Sequence, residues 1–152
     1  MAKISVGSAA PAFSLPDEKG GTVRLVDALA AGPVVLIFYP MDNTPGCTAQ
    51  LCAVRDDAAR YTAAGISVFG INNGSASSHE RFAQRHHLTA PLLVDKNLEV
   101  AAQYDAALNL GLVKIVNRTV VGIGRDGAIA FYKRGTPSTD EIVAALGTAS
   151  VR

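Results

Sequence analysis

Six consecutive apolar residues, Val34-Val-Leu-Ile-Phe-Tyr39, constrain this chain more than any other stretch. A strand with one wet face alternates apolar and polar residues. An unbroken, β-branched run therefore predicts a central strand buried on both faces. Other strand-like runs fall at 66–71, 91–94, 119–123 and 128–132, and helical patterns at 46–64, 77–87, 98–104 and 138–146. Ser75, Ser77 and Asn97 are candidate caps, and Gly147 closes the last helix. Asp126-Gly127 between the last two strands predicts a hairpin. Strand–helix alternation followed by a hairpin gives a central mixed sheet flanked by helices, a three-layer α/β fold in one domain over 1–152.

Composition then narrows the function classes. Apolar residues are 49% and charged residues 18% of the chain, below the roughly 25% charged that is usual. Such a chain can bury a sizeable core, which excludes disorder as its main state. The net charge of +1 and the lack of a Lys/Arg cluster argue against nucleic acid or an anionic membrane as partner. The apolar run at 34–39 is too short to cross a bilayer, and the amino terminus lacks an apolar stretch of signal length. The compartment expected is the cytoplasm. Two cysteines do not make a disulfide scaffold. Their bland reading is two small buried hydrophobes.

Their positions argue otherwise. Ligands of open α/β sheets bind beyond the carboxyl ends of central strands. Directly after Tyr39 comes Pro40-Met-Asp-Asn-Thr44-Pro-Gly-Cys47, a turn feeding a helix. Cys47 thus falls in a first helical turn, where unpaired N–H groups and the positive end of the helix dipole favour thiolate over thiol. Thiolate formation alone lowers a barrier by only about 2 kcal/mol. A fast reaction needs donors aimed at the substrate atoms that gain charge. Cys52 lies five residues on, which in an intact helix separates the Cα atoms by about 8.7 Å. A disulfide spans at most about 7 Å, so pairing would require at least one turn to unwind.

The segment Phe38-Tyr39-Pro40-Met-Asp-Asn-Thr44-Pro45-Gly46-Cys47-Thr48-Ala-Gln50-Leu-Cys52 closely resembles the active-site region of peroxiredoxins. It is most similar to the peroxiredoxin Q, or bacterioferritin comigratory protein, group. The family's Pro-x-x-x-Thr-x-x-Cys is met by Pro40, Thr44 and Cys47, and the group's second cysteine by Cys52. Ala10–Asp17, and Ser78-His79 with Phe82, are similar to further family segments. The resemblance implies a thioredoxin-like fold and a thiol peroxidase without cofactor or metal. Carried over, Cys47 is the nucleophile that attacks peroxide, Cys52 resolves it as a disulfide, and Arg118 matches the active-site arginine. Thr44 would hydrogen-bond peroxide and thiolate, and Pro40 would shield them from water. The implied partners are a peroxide and thioredoxin or a similar thiol reductant, and the implied state is a monomer or weak dimer. The connection 105–117 is shorter than the family's usual one, and Val120-Val-Gly-Ile-Gly-Arg125 replaces its usual strand end.

Other signals weigh less. Gly122-Ile-Gly-Arg-Asp-Gly127 spells a dinucleotide fingerprint, but a strand follows where the motif needs a helix N-terminus. His79, His86 and His87 read as solvated helix residues, since adjacent residues cannot face one site from a helix. Two rival functions fit the same residues. One is a thioredoxin-like disulfide oxidoreductase, although that class uses Cys-x-x-Cys. The other is a non-enzymatic redox-sensing module.

Overall fold

The computed structural model of the chain describes residues 4–150, without the side chains of 148–150. Residues 1–3, which entered the reading of the amino terminus, lie outside that range. In chain order the elements are β1 (Ser14–Pro16), β2 (Thr22–Arg24), α1 (Leu25–Ala31), β3 (Val34–Phe38), α2 (Pro45–Asp56), α3 (Ala58–Ala63) and β4 (Ser67–Asn72). There follow α4 (Ala76–His86), β5 (Leu92–Val94), α5 (Glu99–Gln103), β6 (Ala107–Asn109), β7 (Lys114–Val116), β8 (Thr119–Ile123), β9 (Ile129–Arg134) and α6 (Thr139–Ser150).

Five strands form the central sheet in the order β5-β4-β3-β8-β9. β3 is parallel to β4 and β4 to β5, while β8 is antiparallel to β3 and to β9. This is the mixed sheet read from the sequence, with β3 at its centre and every β3 residue buried. Successive strand residues face opposite ways, and β3 divides accordingly. Val34, Leu36 and Phe38 pack with Leu25 of α1 and with Val100 and Ala101 of α5. Val35, Ile37 and Tyr39 pack with Leu51 of α2, Tyr61 of α3, Phe82 of α4 and Ile142 of α6. Each large apolar side chain so buried contributes roughly 1.5–3 kcal/mol, and two covered faces account for the unbroken run.

Four local readings change. Gly147 does not close the last helix, since α6 runs on through it to Ser150. The helix expected over 46–64 is two helices, divided at Asp57. Aspartate favours helix ends over helix interiors, and here its carboxylate accepts the Thr139 hydroxyl of α6 at 2.6 Å. Ser75 caps α4, its Oγ accepting the Ser78 N–H at 3.1 Å, but Asn97 caps nothing. Leu98 stands at the N-cap of α5 with φ 54°, and the Asp95 carboxylate takes the N–H groups of Val100 and Ala101. The short connection 105–117 holds the β6–β7 hairpin, which leaves Leu110, Leu112 and Val113 exposed. The Gly-rich segment after β8 is a hairpin turn as read. Gly127 takes φ +86° there, and its N–H donates to the Gly124 carbonyl at 2.9 Å.

Candidate active site

The site is assembled by strand parity and register. Tyr39 follows β3 on the face that packs against α2 and α4. Gly70 of β4 makes room for its ring, since a Cβ at Gly70 would lie 3.0 Å from Tyr39 Cε1 and 2.9 Å from Leu92 Cδ2. β8 pairs Thr119 with Phe38, and one further step in that register sets Arg118 beside Tyr39. Arg118 shares the face of Val120, which packs with the α2 side of the core. A residue remote in sequence is thereby aimed at α2.

Between β3 and α2 the chain turns through residues 40–44. Pro40, Met41 and Asn43 are exposed, Asn43 in the left-handed region at φ 63°, and Asp42 alone points inward. Thr44 is the N-cap residue and Pro45 opens α2, where its missing N–H costs nothing. The Thr44 hydroxyl donates to the Met41 carbonyl at 3.0 Å, and no side chain caps α2. The N–H groups of the first turn are thus left for a ligand.

Cys47 stands in that turn, fully buried. Arg118 Nη2 donates to Cys47 Sγ at 3.1 Å, while Nη1 donates to Gln50 Oε1 at 2.7 Å. Among the described residues Arg118 makes no ion pair with a carboxylate, so its charge faces the sulfur. The guanidinium and the uncapped N-terminus of α2 meet at the sulfur. The structure thus brings Cys47 and Arg118 into contact and sets Thr44 at the same helix mouth, hydrogen-bonded to the loop rather than to sulfur. Pro40 is exposed at the start of the loop. Cys52 is half-buried on α2, and both thiols are free. The helix between them is intact.

Several residues at the site escaped the sequence reading. Gln50, three residues after Cys47 on the helix, was detectable by that spacing. Beneath the loop lies a polar cluster centred on Asp42. Its Oδ1 accepts the Tyr39 hydroxyl at 2.6 Å, and its Oδ2 accepts the Ser78 hydroxyl at 2.7 Å and lies 2.7 Å from His79 Nδ1. The other ring nitrogen of His79 lies 3.0 Å from the Leu93 carbonyl. His79 is therefore fully buried, not the solvated residue expected, because it shares the inner face of α4 with Phe82. Burial pushes the Asp42 carboxyl up, but hydrogen bonds from His79, Tyr39 and Ser78 and the charge of His79 reverse this, leaving it below the ordinary range. Burial, reinforced by the Asp42 charge, holds the Tyr39 phenol far above its usual value.

On the other flank of α2 lies a half-open cleft of about 550 Å³, walled by Ile37, Ala53, Val54, Val120 and Ile142, which reaches Gly46 and Gln50. Among the described residues no His, Cys, Asp and Glu side chains gather as a metal site. No described helix is long and apolar enough to cross a membrane.

A central mixed sheet with a buried thiol and a guanidinium at one helix mouth defines a class of protein, the thioredoxin-like peroxiredoxins. The chain belongs to the AhpC/TSA family, whose model matches residues 6–132. Within it, the chain groups with proteins named peroxiredoxin Q and bcp. It is 44% identical over 108 residues to the chloroplastic peroxiredoxin Q of Triticum aestivum, covering 71% of this chain and 49% of that one. It spans about half the length of such chloroplastic relatives. With a putative peroxiredoxin bcp of Coxiella burnetii it shares 37% identity over 131 residues, 84% of this chain and 86% of the relative. The crystal structure of peroxidoxin BcpB from Mycobacterium tuberculosis superposes with a TM-score of 0.90 at 32% identity, covering 96% of this chain and 98% of that one.

Proposed function

We propose that this chain is a thiol-dependent peroxidase acting on hydrogen peroxide and organic hydroperoxides. The observation that carries the reading is the 3.1 Å contact of Arg118 Nη2 with Cys47 Sγ at an uncapped helix N-terminus. The Cys47 thiolate attacks the near oxygen of the peroxide, and the O–O bond breaks. Sulfur is oxidised to a sulfenic acid, and the peroxide is reduced to water or an alcohol once the leaving oxygen takes up a proton. Negative charge moves from sulfur to that oxygen, and a planar guanidinium can hold both ends at once. Thr44 supplies a hydroxyl at the same mouth, and Pro40 limits water.

The Cys52 thiol then condenses with the sulfenic acid, releasing water and forming a Cys47–Cys52 disulfide after α2 unwinds. A dithiol donor, thioredoxin or a similar reductant in the cytoplasm, restores both thiols by exchange and leaves as the disulfide. No cofactor enters any step. The apolar cleft that begins at Gly46 and Gln50 supports organic hydroperoxides as substrates alongside hydrogen peroxide, and the chain works as a monomer or weak dimer. Stopped-flow mixing of the reduced protein with hydrogen peroxide and with a bulky hydroperoxide, followed by mass spectrometry, tests this. Cys47→Ser should abolish turnover. Cys52→Ser should permit one oxidation, then stall and accumulate overoxidised Cys47. Full activity in Cys47→Ser would overturn the reading.

A further inference from the structure

The loop that carries Pro40 and Thr44 has one inward side chain, Asp42, and what grips that side chain decides where the mouth of α2 stands. Asp42 takes a hydroxyl on each oxygen, Tyr39 on Oδ1 at 2.6 Å and Ser78 on Oδ2 at 2.7 Å, as a carboxylate does. A carboxylate can only accept, and so can a backbone carbonyl. His79 places Nδ1 2.7 Å from the Asp42 carboxylate and Nε2 3.0 Å from the Leu93 carbonyl. With an acceptor opposite each of them, both ring nitrogens are placed to donate. The ring is sealed from solvent, with its side chain at 0% exposure against 4% for Asp42. Around it stand the Tyr39 ring, itself backed by Phe82, the Asn72 amide near Gly74 and the Ser78 hydroxyl. Of these neighbours only Asp42 is charged.

We infer that His79 is a positioning residue of this site, a buried imidazolium that spans from the Leu93 carbonyl on β5 to Asp42 and so fastens the 40–44 loop and the first turn of α2 to the body of the fold. It touches no reacting atom. It acts through Asp42, and the inference rests on Cys47 being the reactive thiol. Removing one partner of a buried pair leaves the other charge uncompensated, so the tie is held from both ends.

Two measurements test it. In ¹⁵N-labelled reduced protein at neutral pH, both His79 ring nitrogens should show the protonated signature of an imidazolium, and a neutral-tautomer pattern would overturn the inference. In His79→Gln one amide can serve Asp42 or Leu93 but not both. With the far-ultraviolet spectrum of the native fold retained, the rate constant for Cys47 oxidation by hydrogen peroxide should fall about 10- to 100-fold, as displaced catalytic groups do. The pH profile of Cys47 alkylation by iodoacetamide should shift as well. A native rate and a native profile in a folded His79→Gln would overturn the inference. If that variant does not fold, the ring spectrum of the unaltered protein decides alone. Alkylation needs no peroxide, so failure of the wild-type chain to consume peroxide would sink the peroxidase reading while leaving the tie still tested.

Discussion

At the scale of single residues the site depends on a planar fork meeting two partners. Arg118 divides its Nη atoms between Cys47 Sγ and Gln50 Oε1, and Gln50 thereby fixes the plane of the guanidinium over the sulfur. Lysine carries the same charge as a point with no fork. Arg118→Lys should therefore slow Cys47 oxidation about 10²-fold, the usual cost of one lost donor to developing charge. Stopped-flow rate constants check this, and a change below threefold would show that charge alone suffices. Cys47 and Thr44 were legible because a turn feeding a helix leaves a local signature. Gln50 left only a spacing signal. Asp42 and His79 left less, since no local pattern reports a contact between residues 37 apart.

At the scale of the element, α2 must be stable enough to present a thiol and unstable enough to release it. Cys47 and Cys52 lie on one intact helix, so the disulfide form should lose helix over Pro45–Asp56. Far-ultraviolet circular dichroism and amide exchange across the verified disulfide form check it, and unchanged protection there would contradict it. Gly46, in the first turn, lowers the cost of unwinding. A Cβ there would meet only Arg118 Nη2, at 3.4 Å, so alanine fits, and alanine favours helix by about 0.5–1 kcal/mol. Gly46→Ala should leave peroxide oxidation near native and slow disulfide formation about two- to fivefold, a split that rapid-quench trapping of free thiols resolves. The central strands were readable because their side chains are apolar on both faces. β1, β2, β6 and β7 are three residues each, too short for alternation to emerge, and α1 buries only Leu25 along its length. β1 pairs with β2 and β6 with β7 outside the central sheet, and the sequence holds no periodic trace of that.

At the scale of the whole molecule, two buried carboxyls pull stability in opposite directions with pH. Asp42 has a folded-state pKa below the ordinary carboxylate range. Its contribution is complete above about pH 4, the unfolded value, and is lost as pH falls through the folded one. Glu18 is the reverse case. Burial pushes its carboxyl up, and the Leu92 N–H donated at 2.8 Å only partly offsets that. The fold therefore prefers Glu18 protonated, a contribution present below the unfolded value and lost as pH rises through the raised one. Glu18→Gln keeps an acceptor for Leu92 and removes the buried charge, so it should raise stability at neutral pH and lose that advantage in acid. Asp42→Asn should cost about 3–5 kcal/mol at neutral pH, because it leaves the His79 cation without its counterion. In acid, where wild type also loses the carboxylate, the gap should narrow. Urea unfolding from pH 3 to pH 7 for the three proteins measures both slopes. A gap between wild type and Asp42→Asn that stays constant over that range would mean the Asp42 charge does not hold the loop, which would then rest on the neutral hydrogen bonds from Tyr39 and Ser78.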